Sequence, residues 1–181
     1  KFTEQHMNGE NQLVWPKIPA DLETPVSAMM KLKQGSKHHV LFESVERGEI
    51  RGRYSIIALD PDLIWKCEDG NPQICDTVAQ GKMEYKNVGD DVFKSLKSEI
   101  EKIFINLPEE GLPPMSMGLF GYLGYDMVRQ MEKLESDNPD NTEIPEGMFM
   151  RPQIVVIFDS VKDESVIITP VWHKEGETSQ V

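Results

Sequence analysis

The sequence predicts an α+β fold made mostly of antiparallel sheet, with two main helices. One observation is a run of short β-branched and aromatic segments between His38 and Tyr85, separated by turn residues, which is typical of antiparallel strands. Another is a pair of helix signals, a capping residue at Thr24 and an apolar stripe that begins at Phe93. A chain of 181 residues is long enough for one domain with its own core.

The first helix is predicted to begin at Thr24-Pro25 and to end at Gly35. Threonine is a good N-cap, and proline at the first helical position loses no hydrogen bond because its N–H would have no partner there. The apolar residues expected on the buried side are Val26, Met29 and Met30.

Five strands are predicted after this helix. Asp60-Pro61 is expected to end one strand, and Asp69-Gly70-Asn71-Pro72 is expected to form a tight turn. The predicted strands cover residues 38–46, 53–60, 62–67, 74–78 and 82–85. Before the helix, Leu13–Trp15 is read as a short strand or an anchor.

The second helix is predicted to be capped by Asp90 and ended by Pro108. Its apolar residues recur at steps of three and four, which indicates one buried stripe: Phe93, Leu96, Ile100, Phe104 and Leu107. A short helix is predicted over 127–134, and a buried strand over 154–158 is expected to form a hairpin with 165–169.

Three glycines lie at three-residue spacing in the segment Gly118–Asp126. The segment lacks the lysine of a phosphate-binding loop, and its glycines sit within an aromatic, strand-like run. Glycines in a strand more often permit a bulge or a close approach of two backbones. Packing is therefore favoured over cofactor binding.

The composition argues against several classes of function. The chain carries 31 acidic and 19 basic side chains, a net charge of −12, so it is expected to bind neither nucleic acid nor an anionic membrane. No apolar run approaches the length of a membrane span. Cys67 and Cys75 match no zinc or redox spacing and are interpreted as buried free thiols, which suits a reducing cytoplasm.

The candidate chemistry lies in the strand that ends at Glu43-Ser44, followed by a second strand that bears Arg53. These residues suit a small zwitterion. The glutamate can bind its ammonium group, the arginine can bind its carboxylate, and the apolar neighbours can contact its side chain. The same residues also fit a hairpin with a surface ion pair. Adjacent His38 and His39 point to opposite faces of a strand, so a shared metal is not expected. No catalytic residue is assigned.

Several stretches in order resemble the N-terminal region of anthranilate synthase component I, a chorismate-utilising enzyme family. The resemblance covers about residues 24–172 and leaves 1–23 as an N-terminal extension and 173–181 as a truncated linker. The matching stretches are Thr24–Ala28, Leu41–Glu46, Gly52–Pro61, Gly118–Asp126 and Arg151–Asp159.

The resemblance implies an allosteric site for L-tryptophan, the end product, on the Leu-Leu-Glu-Ser element of that family. Here the element reads Leu41-Phe42-Glu43-Ser44, with Phe42 in place of the second leucine. Two further residues are proposed to bind tryptophan together with this element. Arg53 is expected to pair with the ligand carboxylate, and Pro25 is expected to line the slot for the indole ring.

The resemblance also implies what this chain lacks. The family folds as a layered α/β/β/α sandwich whose C-terminal domain binds chorismate and Mg²⁺, so this chain alone is expected to be inactive and without a cofactor. A glutamine amidotransferase subunit is expected as a partner. The chain does not begin with methionine and is interpreted as part of a longer protein. Its exposed apolar surface would favour a homo-oligomer.

Two alternatives to anthranilate synthase stay open. The first keeps the superfamily but changes the product, as in 4-amino-4-deoxychorismate synthase. The second is a stand-alone amino-acid-binding module without catalysis.

Overall fold

A computed structural model describes residues 11–46, 50–103, 105, 111–134 and 143–172. These residues divide into two compact units. The first contains the described residues up to Asp60, those between Ile103 and Gly118, and those from Pro152 onward. The second contains 61–102 and the described part of 119–151. Within the described residues, every strand pair with a given register is antiparallel and two α-helices are present, which confirms the predicted α+β class.

The first unit contains helix α1 and most of the strands. The elements are β1 (Gln12–Val14), β2 (Lys17–Pro19), α1 (Pro25–Leu32), β3 (His39–Glu46), β4 (Ile50–Glu68, its residues up to Asp60), β8 (Gly147–Asp159, from Pro152) and β9 (Glu164–Val171). Strand β3 pairs with β4, while β1, β2 and β8 all pair with β9. Its core includes Ile57, Leu59, Val156 and Phe158, against which Ala28, Met29 and Leu41 pack.

The second unit contains helix α2 and the remaining strands. The elements are the rest of β4, β5 (Asn71–Cys75), β6 (Lys86–Asn87), α2 (Val92–Lys102), β7 (Phe120–Leu123) and the start of β8, with 3₁₀ helices at Val78–Gln80 and Tyr125–Gln130. Fully buried Trp65 lies in a core with Leu63, Cys67, Val92, Leu96 and Met127. Its indole Nε1 donates to Ser95 Oγ at 3.0 Å, so the one polar atom of the ring is satisfied.

Helix α1 follows its predicted start. The Thr24 hydroxyl accepts a hydrogen bond from Ser27 N, and the Ser27 hydroxyl accepts one from Thr24 N, a reciprocal capping box. The expected buried side was only partly right: Met29 packs in the core, but Val26 and Met30 are exposed. An eight-residue helix packed against a sheet has room for only a narrow contact stripe.

Strand β4 corrects the prediction of two strands divided at Asp60-Pro61. It runs without interruption through 19 residues, with Asp60 at a φ of 48°. One residue in the left-handed region can redirect a strand without ending its pairing, and aspartate tolerates that region better than most residues. The Asp60 N–H donates to the carbonyl of His38 at 3.2 Å.

The strands that follow differ in position from the prediction. Strands β5 and β6 lie at 71–75 and 86–87, not at 74–78 and 82–85. The predicted turn is confirmed at Asp69-Gly70, where both residues have positive φ as a type I′ hairpin turn requires, whereas Asn71 and Pro72 already belong to β5. Between β5 and β6, a 3₁₀ helix ends at Gly81, whose φ is 77°.

Helix α2 is shorter than predicted. Asp91, rather than Asp90, accepts a hydrogen bond from Lys94 N at the helix start, and the helix ends at Lys102. Leu96 is buried, but Ile100 is half exposed, so the predicted stripe was wrong there. Phe104 and Leu107 lie outside the described residues. The segment predicted as a helix at 127–134 is instead a 3₁₀ helix at Tyr125–Gln130.

The glycine-rich segment packs closely, as predicted. A Cβ at Gly121 would overlap the carbonyl oxygen of Met148 and lie 2.7 Å from the Cα of Phe149. A Cβ at Gly124 would lie 2.9 Å from the Glu146 carbonyl oxygen, which accepts a hydrogen bond from Gly124 N. The close approach of β7 to β8 therefore requires glycine, which confirms the packing interpretation at these two positions.

Candidate functional site

Strand β3 presents its predicted site residues on alternating faces. Leu41 is half-buried and packs with Ile57 and the core that faces α1, whereas Phe42 is 41% exposed. Side chains alternate along a strand, so the residue that differs from the family motif points away from this core. Phe42 therefore alters the outer surface of β3 rather than the core beneath it.

Ser44 lies at an irregular point in the pairing of β3 with β4. Glu43 pairs with Ser55, and the next pair is Val45 with Arg51. Between these pairs β3 has one residue, Ser44, whereas β4 has three. Such an irregularity bends a strand locally and redirects its side chains, and it is common beside functional sites.

The side chains of Glu43 and Ser44 are both exposed. A carboxylate accepts hydrogen bonds, and a hydroxyl both donates and accepts them. Together they can accept hydrogen bonds from the N–H groups of an ammonium ion, which is the interaction predicted for the amino group of an amino acid.

Arg53 makes a bidentate ion pair in the first unit. Its Nε and terminal nitrogen lie 3.0 Å and 2.8 Å from the two carboxylate oxygens of Asp159. The Arg53 guanidinium, helped by the N–H of Val161, holds the pKa of Asp159 below its usual value against the opposing effect of burial. A ligand carboxylate at Arg53 would have to compete with Asp159, and the predicted pairing of Arg53 with a ligand stays a prediction.

The backbone around Arg53 is also anchored. Its carbonyl oxygen accepts hydrogen bonds from Ser160 N at 2.9 Å and from Ser160 Oγ at 3.0 Å. Its guanidinium carbon lies 4.9 Å from the ring centroid of Tyr54. Arg53 therefore joins β4 to the turn that connects β8 and β9.

Pro25 is the first residue of α1 and is half-buried. It follows the Thr24 cap, and the helix packs beside β3 through Ala28, Met29 and Leu41. Its observed role is thus to start the helix that supports β3. Its predicted place in an indole slot stays a prediction.

A small cavity of about 80 Å³ lies near Tyr54 and the β8–β9 turn. It is lined by residues from separate parts of the first unit, among them Lys17, Tyr54, Leu112, Asp159, Lys162 and Glu164. Pockets for small molecules usually measure about 300–1,000 Å³, so we do not assign an amino-acid ligand to this cavity. No local sequence signal marks it, because strand pairing brings its residues together.

The histidines and cysteines make no metal site within the described parts of the chain, where no three potential ligand side chains cluster. His39 Nδ1 lies 3.2 Å from the carbonyl oxygen of Ser36. Cys67 and Cys75 are buried and free, as predicted. Burial is the main cause that raises the pKa of the Cys67 thiol to about 11. Among the described helices, none is long and apolar enough to span a membrane.

The fold matches a solved enzyme structure. Anthranilate synthase component I from Streptococcus pneumoniae TIGR4 superimposes with a TM-score of 0.55 and 25% identity, over 88% of this chain and 32% of that chain. No family model matches the sequence.

The chain is also similar to components of two enzymes, anthranilate synthase and aminodeoxychorismate synthase. The chain is 40% identical over 168 residues to anthranilate synthase component 1 of Cereibacter sphaeroides, which is 93% of this chain and 33% of that protein. It is also 32% identical over 171 residues to aminodeoxychorismate synthase component 1 of Bacillus subtilis, 91% of this chain and 33% of that protein. The chain thus spans about a third of the length of these relatives. The resemblance to the N-terminal region of anthranilate synthase component I is confirmed.

Proposed function

We propose that this chain is the regulatory, tryptophan-sensing N-terminal domain of an anthranilate synthase large subunit. The complete enzyme is a lyase that converts chorismate and glutamine or ammonia to anthranilate and pyruvate in tryptophan biosynthesis. The observation that carries the proposal is the 40% identity to anthranilate synthase component 1 over 93% of the chain. The ordered motifs, including Leu41-Phe42-Glu43-Ser44, support the same assignment.

The site on β3 supports a sensing role rather than a catalytic one. Glu43 and Ser44 are exposed acceptors at a strand irregularity, and they are suited to an ammonium ion. Feedback inhibition follows if tryptophan binds one state of the enzyme better than another. Chorismate and Mg²⁺ are assigned to a C-terminal domain, so this stretch alone is inactive.

The remaining partners follow from the same proposal. A glutamine amidotransferase subunit supplies ammonia, the C-terminal domain completes the tryptophan site, and the enzyme works in the cytoplasm. The acidic surface, with a net charge of −12, fits a small-molecule enzyme that binds neither nucleic acid nor membrane. The isolated chain is expected to self-associate, because it would expose apolar surface that the rest of the protein covers.

The test uses the full-length protein and a Ser44→Phe variant. Wild type should form anthranilate from chorismate and ammonia and should be inhibited by tryptophan. The phenyl group would fill the site and remove the hydroxyl, so half-inhibition should require more than about tenfold more tryptophan. Anthranilate fluorescence measured across a tryptophan titration gives the result.

Val161→Phe is the matched control because it adds similar bulk at an exposed turn residue of the same unit. It should leave the tryptophan response unchanged. An unchanged response in Ser44→Phe would reject the assignment of the site.

A second candidate is aminodeoxychorismate synthase, favoured by the 32% identity to the Bacillus subtilis protein. In that case the full-length enzyme would accumulate 4-amino-4-deoxychorismate, and chromatography of the products would identify it.

A third candidate, an amino-acid-binding module without catalysis, predicts tight tryptophan binding by this 181-residue chain. Because we assign part of the tryptophan site to the C-terminal domain, we expect calorimetry of the isolated chain to detect weak binding or none. A micromolar affinity would favour the module.

A further inference from the structure

Gly52 is a buried glycine in the interior of β4, and its φ is not positive. Glycine at such a position carries an entropic cost and offers no side chain to pack, so a specific reason for it is expected. A Cβ at Gly52 would overlap both the Cβ and the Oγ of Ser44 and lie 3.0 Å from the Ser44 carbonyl oxygen. The space of the missing side chain is thus taken by Ser44.

Rotation of the Ser44 side chain would not relieve this overlap. A change in χ1 moves Oγ, but the Cβ of Ser44 is attached directly to the β3 backbone. A side chain at position 52 would therefore require the backbone of β3 or of β4 to shift.

The contacts of the next residue indicate which strand shifts. Arg53 is held by two hydrogen bonds to the Asp159 carboxylate and by two more from Ser160 to its carbonyl oxygen. These four bonds tie β4, immediately beside Gly52, to the end of β8 and to the turn that follows it. We therefore expect β3 to shift at Ser44 and β4 to stay in place.

We infer that Gly52 is a positioning residue that determines the position of the Ser44 hydroxyl. The ion pair between Arg53 and Asp159 holds β4 in place next to Gly52. This inference rests on the proposed function, in which Ser44 contacts tryptophan. Gly52 itself contacts no ligand and acts through Ser44. A side chain at position 52 should weaken the tryptophan response although it leaves every proposed contact residue in the sequence.

The first experiment compares Gly52→Ala with wild type in the full-length protein. A displaced hydroxyl loses its hydrogen bond to the ligand, so half-inhibition should require about tenfold more tryptophan. The basal rate and the KM for chorismate, measured without tryptophan, separate this effect from general damage. Gly35→Ala is the control, since no heavy atom lies within 4 Å of a Cβ at that position. It should leave inhibition and melting temperature near the wild-type values.

The second experiment tests the overlap itself through thermal unfolding. Gly52→Ala should lower the melting temperature by about 4–8 °C through overpacking. Adding Ser44→Gly removes the Cβ and the hydroxyl that meet the new methyl group. The double variant should therefore melt at a higher temperature than the sum of the single effects predicts, while its tryptophan response stays weak.

The outcomes separate the inference from the function on which it rests. Gly52→Ala with wild-type tryptophan sensitivity, or additive changes in melting temperature, would overturn the positioning role. If tryptophan did not inhibit the wild-type enzyme, the proposed sensing function would instead be overturned. The melting temperatures of the variants would still show whether Gly52 positions Ser44.

Discussion

The core around Trp65 and the strand edge around Ser44 are held by different forces. Trp65 is fully buried among apolar side chains of the second unit, with its ring 6.1 Å from that of Phe149 and its N–H bonded to Ser95. Ser44 in the first unit is exposed, and the segment of β4 opposite it is anchored by polar contacts between Arg53, Asp159 and Ser160.

This difference separates stability from response. Burial of a large aromatic side chain contributes much free energy and depends on close packing on all sides. An exposed strand edge contributes little to the free energy of folding. The position of one hydroxyl there can nevertheless decide whether a ligand binds. Substitution of the core side chain Trp65 should therefore change mainly the free energy of unfolding, whereas substitution of the exposed Ser44 should change mainly the ligand response.

The largest expected effect comes from Trp65→Ala. Removing a buried indole leaves a cavity and takes away the N–H that donates to Ser95 Oγ, so the free energy of unfolding should fall by about 3–5 kcal/mol. Urea unfolding followed by circular dichroism measures this. Trp65→Phe keeps most of the ring and should lose clearly less. A loss below about 1 kcal/mol for the alanine variant would contradict the central place of Trp65 in this core.

Asp159→Asn should have a smaller effect that depends on pH. It removes the ion pair with half-exposed Arg53 and should cost about 1–2 kcal/mol near neutral pH. Arg53 lowers the pKa of Asp159 in the folded state, so the stabilisation is complete above the unfolded value of about 3.9 and is lost as the pH falls below it.

Wild type should accordingly lose more stability than Asp159→Asn when urea unfolding is compared between about pH 5 and pH 3. Asp163→Asn is the control, because Asp163 is an exposed residue of the turn that follows Asp159 and asparagine accepts its positive φ. If Asp159→Asn and wild type showed the same acid dependence, the ion pair would not stabilise the fold.

The smallest expected effect is that of Thr24→Ala at the start of α1. The change removes one hydroxyl from the capping box and should cost about 1 kcal/mol, since the capped N–H of Ser27 remains near water. Thermal unfolding would measure it, and Thr24→Ser should keep the cap and most of the stability. If Thr24→Ala lowered the free energy of unfolding as much as Trp65→Ala, the Trp65 core would not contribute more to stability than the surface of the first unit.

Local features of the fold could be predicted because their causes lie within a few residues. Thr24-Pro25 starts a helix whose cap is complete within three residues, and Asp69-Gly70 makes a turn from two positive φ angles. Strand β4 was predicted as two strands, since Asp60-Pro61 is a common strand end and only pairing along its length shows that the strand continues.

The candidate site was predictable as a motif but not as an arrangement. Leu41-Phe42-Glu43-Ser44 could be recognised from the sequence, and so could the charge of Arg53. The partner of Arg53 could not, because Asp159 lies 106 residues further along the chain. The same holds for the space above Gly52, which is filled by a residue of another strand.

The sequence by itself determined the α+β class, the capped start of α1, the turn at Asp69-Gly70 and the motifs that mark the enzyme family. Each depends on neighbouring residues, whose conformational preferences act over one turn or one strand. Tertiary structure alone decided that Arg53 anchors β4 and that Ser44 stands where Gly52 has no side chain. These contacts depend on strand pairing between distant segments, and pairing sets which side chains meet.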